Sequence, residues 1–235
     1  MKKVVNNKVI AKQFKGELPK PGKTGVDWFL FCYFLNLHQG TRMLEVGAGI
    51  GGSLCSMLAF SNQVTVIDSW NQNWPKKPVE DCVSKIGKQV KFIDAESKDV
   101  GVSDLETYAF IHLDANKGFD LVTKDLEIAT QCCNGIICVD DYMNSMWPEV
   151  TWAVDEFVKT NKSWKKILIG NHQVFLSQKK YECKDLVIDL PMYIRDDILC
   201  LTYGKMPAEL NEFVLHGKMQ YSWHNIAWIE GNNDL

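Results

Sequence analysis

Two apolar runs in this chain end on acidic side chains. "YAFIHLD" finishes at Asp114, with Lys117 just beyond, and "GIICVDD" finishes at Asp140 and Asp141. Carboxylates gathered at one place repel one another and are expensive to bury unpaired. A hard divalent cation with oxygen ligands removes that cost, and Mg2+ characteristically takes carboxylates together with water and substrate oxygens. Asp114, Asp140 and Asp141 are therefore candidate ligands for Mg2+ or a similar ion. Taken singly, Asp140 or Asp141 could instead cap the turn that follows it.

A second cluster lies earlier. "LEVGAGIGGS" sets Gly47, Gly49 and Gly51 between an apolar run and a helical one. Glycines there permit a tight turn and close approach of backbone N–H groups to a ligand, at the electropositive start of a helix. Asp68 closes the next apolar run, at a spacing that suits a carboxylate gripping ribose hydroxyls. The loop alone is weak evidence; with Asp68 it points to a nucleoside-like ligand.

The elements that position these groups follow from the pattern. "RMLEVG", "QVTVIDSW", "QVKFIDAES", "YAFIHLD" and "GIICVDD" read as strands. Helical segments alternate with them: "GGSLCSMLAFS", a short one around "EDCVSKIG", "FDLVTKDLEIATQCC" and "EVTWAVDEFVKT". Such alternation predicts parallel strands covered on both faces. "KKILIGNHQVFLSQKK" then reads as an antiparallel hairpin around Gly170, Asn171 and His172. "VDWFLFCYFLNLHQG", apolar almost all round and stopped by Gly40, predicts a buried helix ahead of the first strand. In an open parallel sheet ligands collect at the carboxyl ends of strands, so the acidic ends and the glycine loop should meet there.

The run E-x-G-x-G-x-G from Glu45 to Gly51 resembles the first motif of class I S-adenosylmethionine-dependent methyltransferases. The resemblance implies a Rossmann-like α/β fold with a mostly parallel seven-stranded sheet, helices on both faces and a C-terminal antiparallel hairpin. It implies that Glu45, Gly47, Ala48 and Gly49 position the amino-acid end of S-adenosyl-L-methionine and that Asp68 holds its ribose. Ala95, Glu96 and Ser97 would lie by the adenine, with Ser69 and Trp70 along its other side and Asp114 also near the cofactor. "DANK" followed by "DDY" further resembles the cation-dependent O-methyltransferases of the caffeoyl-CoA and catechol type, and the macrocin-type sugar O-methyltransferases. These resemblances span about Arg42 to Phe157. Asn116 departs from the second Asp of the plant-type motif, and Lys117 stands where the sugar enzymes usually carry His.

The implied reaction is methyl transfer from the cofactor sulfonium to a hydroxyl of a small molecule, with the metal lowering the hydroxyl's pKa. Lys117 would take the proton if its pKa is drawn down, or else is a surface lysine in a strand–helix loop. Trp74, Trp147 and Pro148 would wall the substrate site or simply pack. His112, inside the fourth strand, is expected to be a satisfied interior residue rather than a ligand. Three alternatives stay open: a metal-independent methyltransferase, an NAD-dependent oxidoreductase, and a non-catalytic cofactor-binding protein.

Composition narrows the partners. The chain has 235 residues, net charge -3 and 46% hydrophobic residues, and its lysine-rich basic charge includes only two arginines, Arg42 and Arg195. No pull toward nucleic acid or membrane is expected, and a homo-oligomer is left open. Eight cysteines, none in a C-x-x-C pair, and no signal-like or membrane-spanning run lead to the expectation of a reduced, cytoplasmic protein. Three segments are expected: a lysine-rich arm over 1–24, the main domain over 25–179 and an extension over 180–235 packed on it. "DLPMY" (Asp189–Tyr193) is a poor match to the Asn-Pro-Pro-Tyr motif of amino-methyltransferases.

Overall fold

The computed structural model describes residues 25–71, 73–85, 87–170 and 172–178. The expected arm over 1–24 and the extension over 180–235, with its DLPMY run, lie outside the described residues. The elements run α1 (Gly25–Leu37), β1 (Met43–Val46), α2 (Gly52–Phe60), β2 (Val64–Asp68), α3 (Lys76–Lys85) and β3 (Val90–Asp94). Two 3-10 turns, Ser97–Asp99 and Val102–Asp104, lead to β4 (Tyr108–Leu113), α4 (Phe119–Cys132) and β5 (Cys133–Asp140). Then come α5 (Pro148–Thr160), β6 (Lys165–Ile169) and β7 (Gln173–Ser177).

The strands form one seven-stranded sheet in the order β3-β2-β1-β4-β5-β7-β6. β1 to β5 are parallel, while β7 lies antiparallel to both β5 and β6. The chain winds from β1 outward to β3, then returns to place β4 on the other side of β1. The order therefore reverses between β1 and β4, where a crevice opens at the carboxyl ends.

Side-chain alternation along each strand divides the core in two. Met43, Phe110, Ile136 and Cys138 face one way, packing with Leu30, Phe34, Met57, Val83 and Phe175 beneath α1, α2 and α3. Leu44, Ile111, Ile137 and Val139 face the other way, against Leu126, Val150, Val154 and Trp164 of α4, α5 and the segment after α5. α1 begins at Gly25 and ends at Leu37, and its Leu30, Phe31, Cys32, Phe34 and Leu35 are all buried, as the all-round apolar pattern predicts. Asp27, in its first turn, accepts the backbone N–H of His172 and so ties α1 to the β6–β7 hairpin loop. α3 starts earlier than its sequence pattern suggests, because Lys76 and Lys77 form its first turn ahead of Pro78. Among the described residues no helix is long and apolar enough to cross a membrane.

Candidate active site

The parity that sorts the core also assembles the site. Glu45 follows Met43 by two residues, His112 and Asp114 follow Phe110, and Asp140 follows Cys138, so all four leave the sheet on the α1 face. Register sets Glu45 beside His112 and His112 beside Cys138, with Asp140 beside Gln173 of β7. Two strand ends and the first loop thus converge at the crevice.

The glycine loop turns on left-handed backbone at Gly47 (φ 86°), Gly49 (φ 52°) and Gly51 (φ 85°). At Gly47 a Cβ would lie 2.5 Å from the Cα of Ala115, so the loops after β1 and β4 touch there. Asp68 braces this loop: its Oδ2 accepts the N–H groups of Ala48 at 2.8 Å and Gly49 at 3.2 Å. Its Oδ1 accepts the N–H of Trp70 at 2.8 Å. The carboxylate expected to hold a ribose therefore also sets the loop's shape. Trp70 packs edge-on to Phe92 and donates from its ring N–H to Asp94. Ser69 and Glu96 are exposed, Ala95 is half-buried and Ser97 is buried, along one rim of the crevice. Ala95 joins that rim to β2 by donating to the Asp68 carbonyl at 3.1 Å.

Beneath the loop lies a buried polar row. Glu45 is fully buried, and its Oε1 accepts the hydroxyl of Ser53 and faces Nδ1 of His112 at 3.1 Å. Phe31 packs edge-on to the imidazole, ring centroids 4.8 Å apart. Among the described residues Glu45 Oε2 and His112 Nε2 have no hydrogen-bond partner although both are buried. His112 is thus only half satisfied, contrary to the expectation of a satisfied interior histidine. Gln173, also fully buried, donates from Nε2 to Asp140 Oδ1 at 3.0 Å.

Two of the three aspartates, Asp114 and Asp141, close on a lysine. Lys117 Nζ lies 2.6 Å from Asp114 Oδ1 and 2.7 Å from Asp141 Oδ2. Asp141 has left-handed backbone (φ 61°) and also accepts the side-chain amide of Asn144 at 2.8 Å. One atom each of His112, Asp114 and Asp140 lie within 4.8 Å of one another, a grouping able to hold a metal ion; Asp141 stands outside it. Burial works to lower the pKa of Lys117, but Asp114 and Asp141 outweigh it and hold the pKa above the ordinary lysine value. In this arrangement Lys117 is an ammonium ion, and the lowering of pKa on which a proton-acceptor role was conditional is not seen. Lys117 offsets part of the negative charge at the strand ends.

Glu149, in the first turn of α5, accepts the N–H of Phe119 at 2.9 Å and fixes the loop carrying Lys117. Tyr142 of the "DDY" run turns away from the crevice. Its hydroxyl donates to Asp155 at 2.8 Å, and burial pushes its pKa up to about 12. Trp74 and Trp147 are both exposed, on loops that follow β2 and β5 at the crevice end of the sheet. Ser53, Asn144 and Gln173 escaped the sequence reading. Each is an isolated polar residue whose relevance depends on register rather than on a local motif.

No protein-family model matches the chain, and no curated protein sequence matches it. Solved structures do. The O-methyltransferase NovP superposes with a TM-score of 0.56 at 17% identity, covering 66% of this chain and 80% of that one. The S-adenosylhomocysteine-bound methyltransferase PaMTH1 of Podospora anserina gives 0.53 at 16% identity, covering 64% and 77%. An rRNA methylase of Streptococcus thermophilus gives 0.53 at 14% identity, covering 70% and 100%. The chain has the Rossmann-like fold of the class I methyltransferases.

Proposed function

We propose that this protein is an S-adenosylmethionine-dependent O-methyltransferase acting on a hydroxyl of a small molecule, assisted by a divalent cation such as Mg2+. One observation carries the proposal: Asp68 and the glycine loop face the same crevice as Asp114 and Asp140, so a nucleoside site and a cation-capable site adjoin. The solved O-methyltransferase NovP and the S-adenosylhomocysteine-bound PaMTH1 share this fold and support the choice of cofactor.

In this proposal Asp68 takes the ribose, and Glu45, Gly47, Ala48, Gly49 and Gly51 receive the amino-acid end of the cofactor. Ser69, Trp70, Ala95, Glu96 and Ser97 form the rim along the adenine. The donor set fits a divalent cation: Asp114 and Asp140 supply oxygens close together, and Asp141 adjoins them through Lys117. A bound cation would supply Lewis acidity, lowering the pKa of an acceptor hydroxyl placed beside it. The residues of the chain orient that hydroxyl in line with the departing sulfur, which is where much of the rate enhancement of such a transfer arises. Lys117 is the proton acceptor at this crest. Release from Asp114 and Asp141 leaves burial as the main influence on it, and burial lowers an ammonium's pKa. Once its ammonium proton has passed to solvent, the Lys117 amine takes the hydroxyl proton while the methyl group passes from the sulfonium sulfur to that oxygen, and S-adenosylhomocysteine departs.

Incubation with methyl-labelled S-adenosylmethionine and a panel of catechols, hydroxycinnamoyl thioesters and sugars should release S-adenosylhomocysteine with at least one acceptor. Excess chelator should stop the release and Mg2+ should restore it. Full turnover in chelator would favour a metal-independent methyltransferase instead.

A further inference from the structure

We infer that the cation site is completed by His112 rather than by Asp141, and that it therefore takes a first-row transition-metal ion such as Mn2+ in preference to Mg2+. The inference rests on the cation-assisted proposal above and concerns which ligands and which ion that site uses.

Four observations converge on His112. The first is placement: on β4, two residues before Asp114, it pairs with Cys138 of β5, two residues before Asp140. The second is proximity, since a ring nitrogen lies within 4.8 Å of an oxygen of each aspartate. The third is an unmet valence. Nδ1 is engaged by Glu45 at 3.1 Å, so the nitrogen left for a ligand is Nε2, which is buried and has no partner among the described residues. An apolar residue would fill such a place at no polar cost, whereas an imidazole with an idle lone pair carries a desolvation penalty. The fourth is support. A metal-bound histidine commonly donates its other ring N–H to a carboxylate, which fixes its tautomer and raises its basicity. Glu45 stands in that position, and Phe31 holds the ring edge-on.

Asp141 is differently committed. Lys117 and Asn144 hold its carboxylate, and its left-handed backbone turns it out of the strand parity that aligns His112, Asp114 and Asp140. Gln173, by donating to Asp140 Oδ1, steadies that carboxylate as an orienting neighbour. One imidazole and two carboxylates suit Mn2+ or Fe2+ better than Mg2+, which favours all-oxygen octahedra.

Pulsed electron paramagnetic resonance of Mn2+ bound to the full chain tests this directly. We expect one Mn2+ per chain, showing modulation from a histidine nitrogen that changes when histidine is labelled with 15N, and Mn2+ binding at least tenfold tighter than Mg2+. Asp114→Asn should remove the nitrogen signal and Asp141→Asn should leave it. His112→Gln should also abolish it, and the Asp114→Asn arm keeps the test decisive if that buried variant fails to fold. Bound Mn2+ without nitrogen coupling overturns the role of His112 while leaving the cation-assisted proposal standing. Nitrogen coupling that survives Asp114→Asn overturns it too, by placing the ion elsewhere. No bound Mn2+ at millimolar concentration overturns both.

Discussion

Lys117 and Asp141 meet at 2.7 Å across the crest of the sheet, joining the loop after β4 to the turn after β5. With Asp114 on the other side of the same ammonium, one positive charge serves two carboxylates. Lys117→Met leaves those carboxylates facing each other and should cost about 1–3 kcal/mol of stability, read from denaturant unfolding. Lys117→Arg separates charge from proton transfer. It keeps the positive charge and so should keep most of the stability, but a guanidinium does not deprotonate, and turnover should fall by about 100-fold or more. Unchanged turnover in the arginine variant would reduce Lys117 to a counter-charge.

Asp68 holds three backbone N–H groups, two of them in the glycine loop. Asp68→Ala should therefore loosen the loop and weaken S-adenosylhomocysteine binding together. The expected loss is about 10-fold or more in affinity, from lost charge-assisted hydrogen bonds of about 1.5–3 kcal/mol each. Titration calorimetry measures it. Unaltered affinity would mean the ligand contacts neither Asp68 nor the loop it braces.

Gly47 and Gly40 both have left-handed backbone, at φ 86° and 78°, but only Gly47 meets a neighbour. Gly40→Ala should cost about 1–2 kcal/mol, from backbone strain alone. Gly47→Ala adds a collision with the backbone of Ala115, for a total of about 2–5 kcal/mol. The gap between the two melting temperatures reports how tightly the β1 and β4 loops are pressed together.

Asp125, on α4, is buried, and that burial pushes its carboxyl up to about 6. The folded protein binds this proton more tightly than the unfolded chain, in which an Asp titrates near about 3.9. Its contribution is thus most favourable at low pH, and it is lost as pH rises from about 4 through about 6. Asp125→Asn should raise stability at pH 7 by about 1–3 kcal/mol and flatten the slope of stability against pH in that window. Urea unfolding at a series of pH values checks both. A slope unchanged by the substitution would place the responsible group elsewhere.

Much of the fold is visible in the chain because both periods are clean. Apolar strands such as Ile136–Val139 alternate with helices such as α4, and the hairpin around Gly170 breaks that rhythm. The glycine loop, Asp68 and the acidic strand ends were legible for the same reason, as local patterns at strand termini. What stayed hidden depends on register. Nothing local marks Gln173 as the partner of Asp140, or Ser53 as a donor to Glu45, since each contact spans separate elements. His112 was misjudged because an imidazole in an apolar run looks satisfied until the strand beside it shows which nitrogen is occupied. The pKa of Lys117 lies above the ordinary lysine value because Asp114, nearby in sequence, and then Asp141, which only the fold brings within reach, outweigh burial.

The crevice between β1 and β4 is the centre of the account, and its ligand decides the rest. Calorimetric titration of the full chain with S-adenosylhomocysteine, and separately with NAD, measures that most directly. One S-adenosylhomocysteine should bind per chain, more weakly after Asp68→Ala, with no heat from NAD. Saturable binding of NAD, with none of S-adenosylhomocysteine, would contradict it.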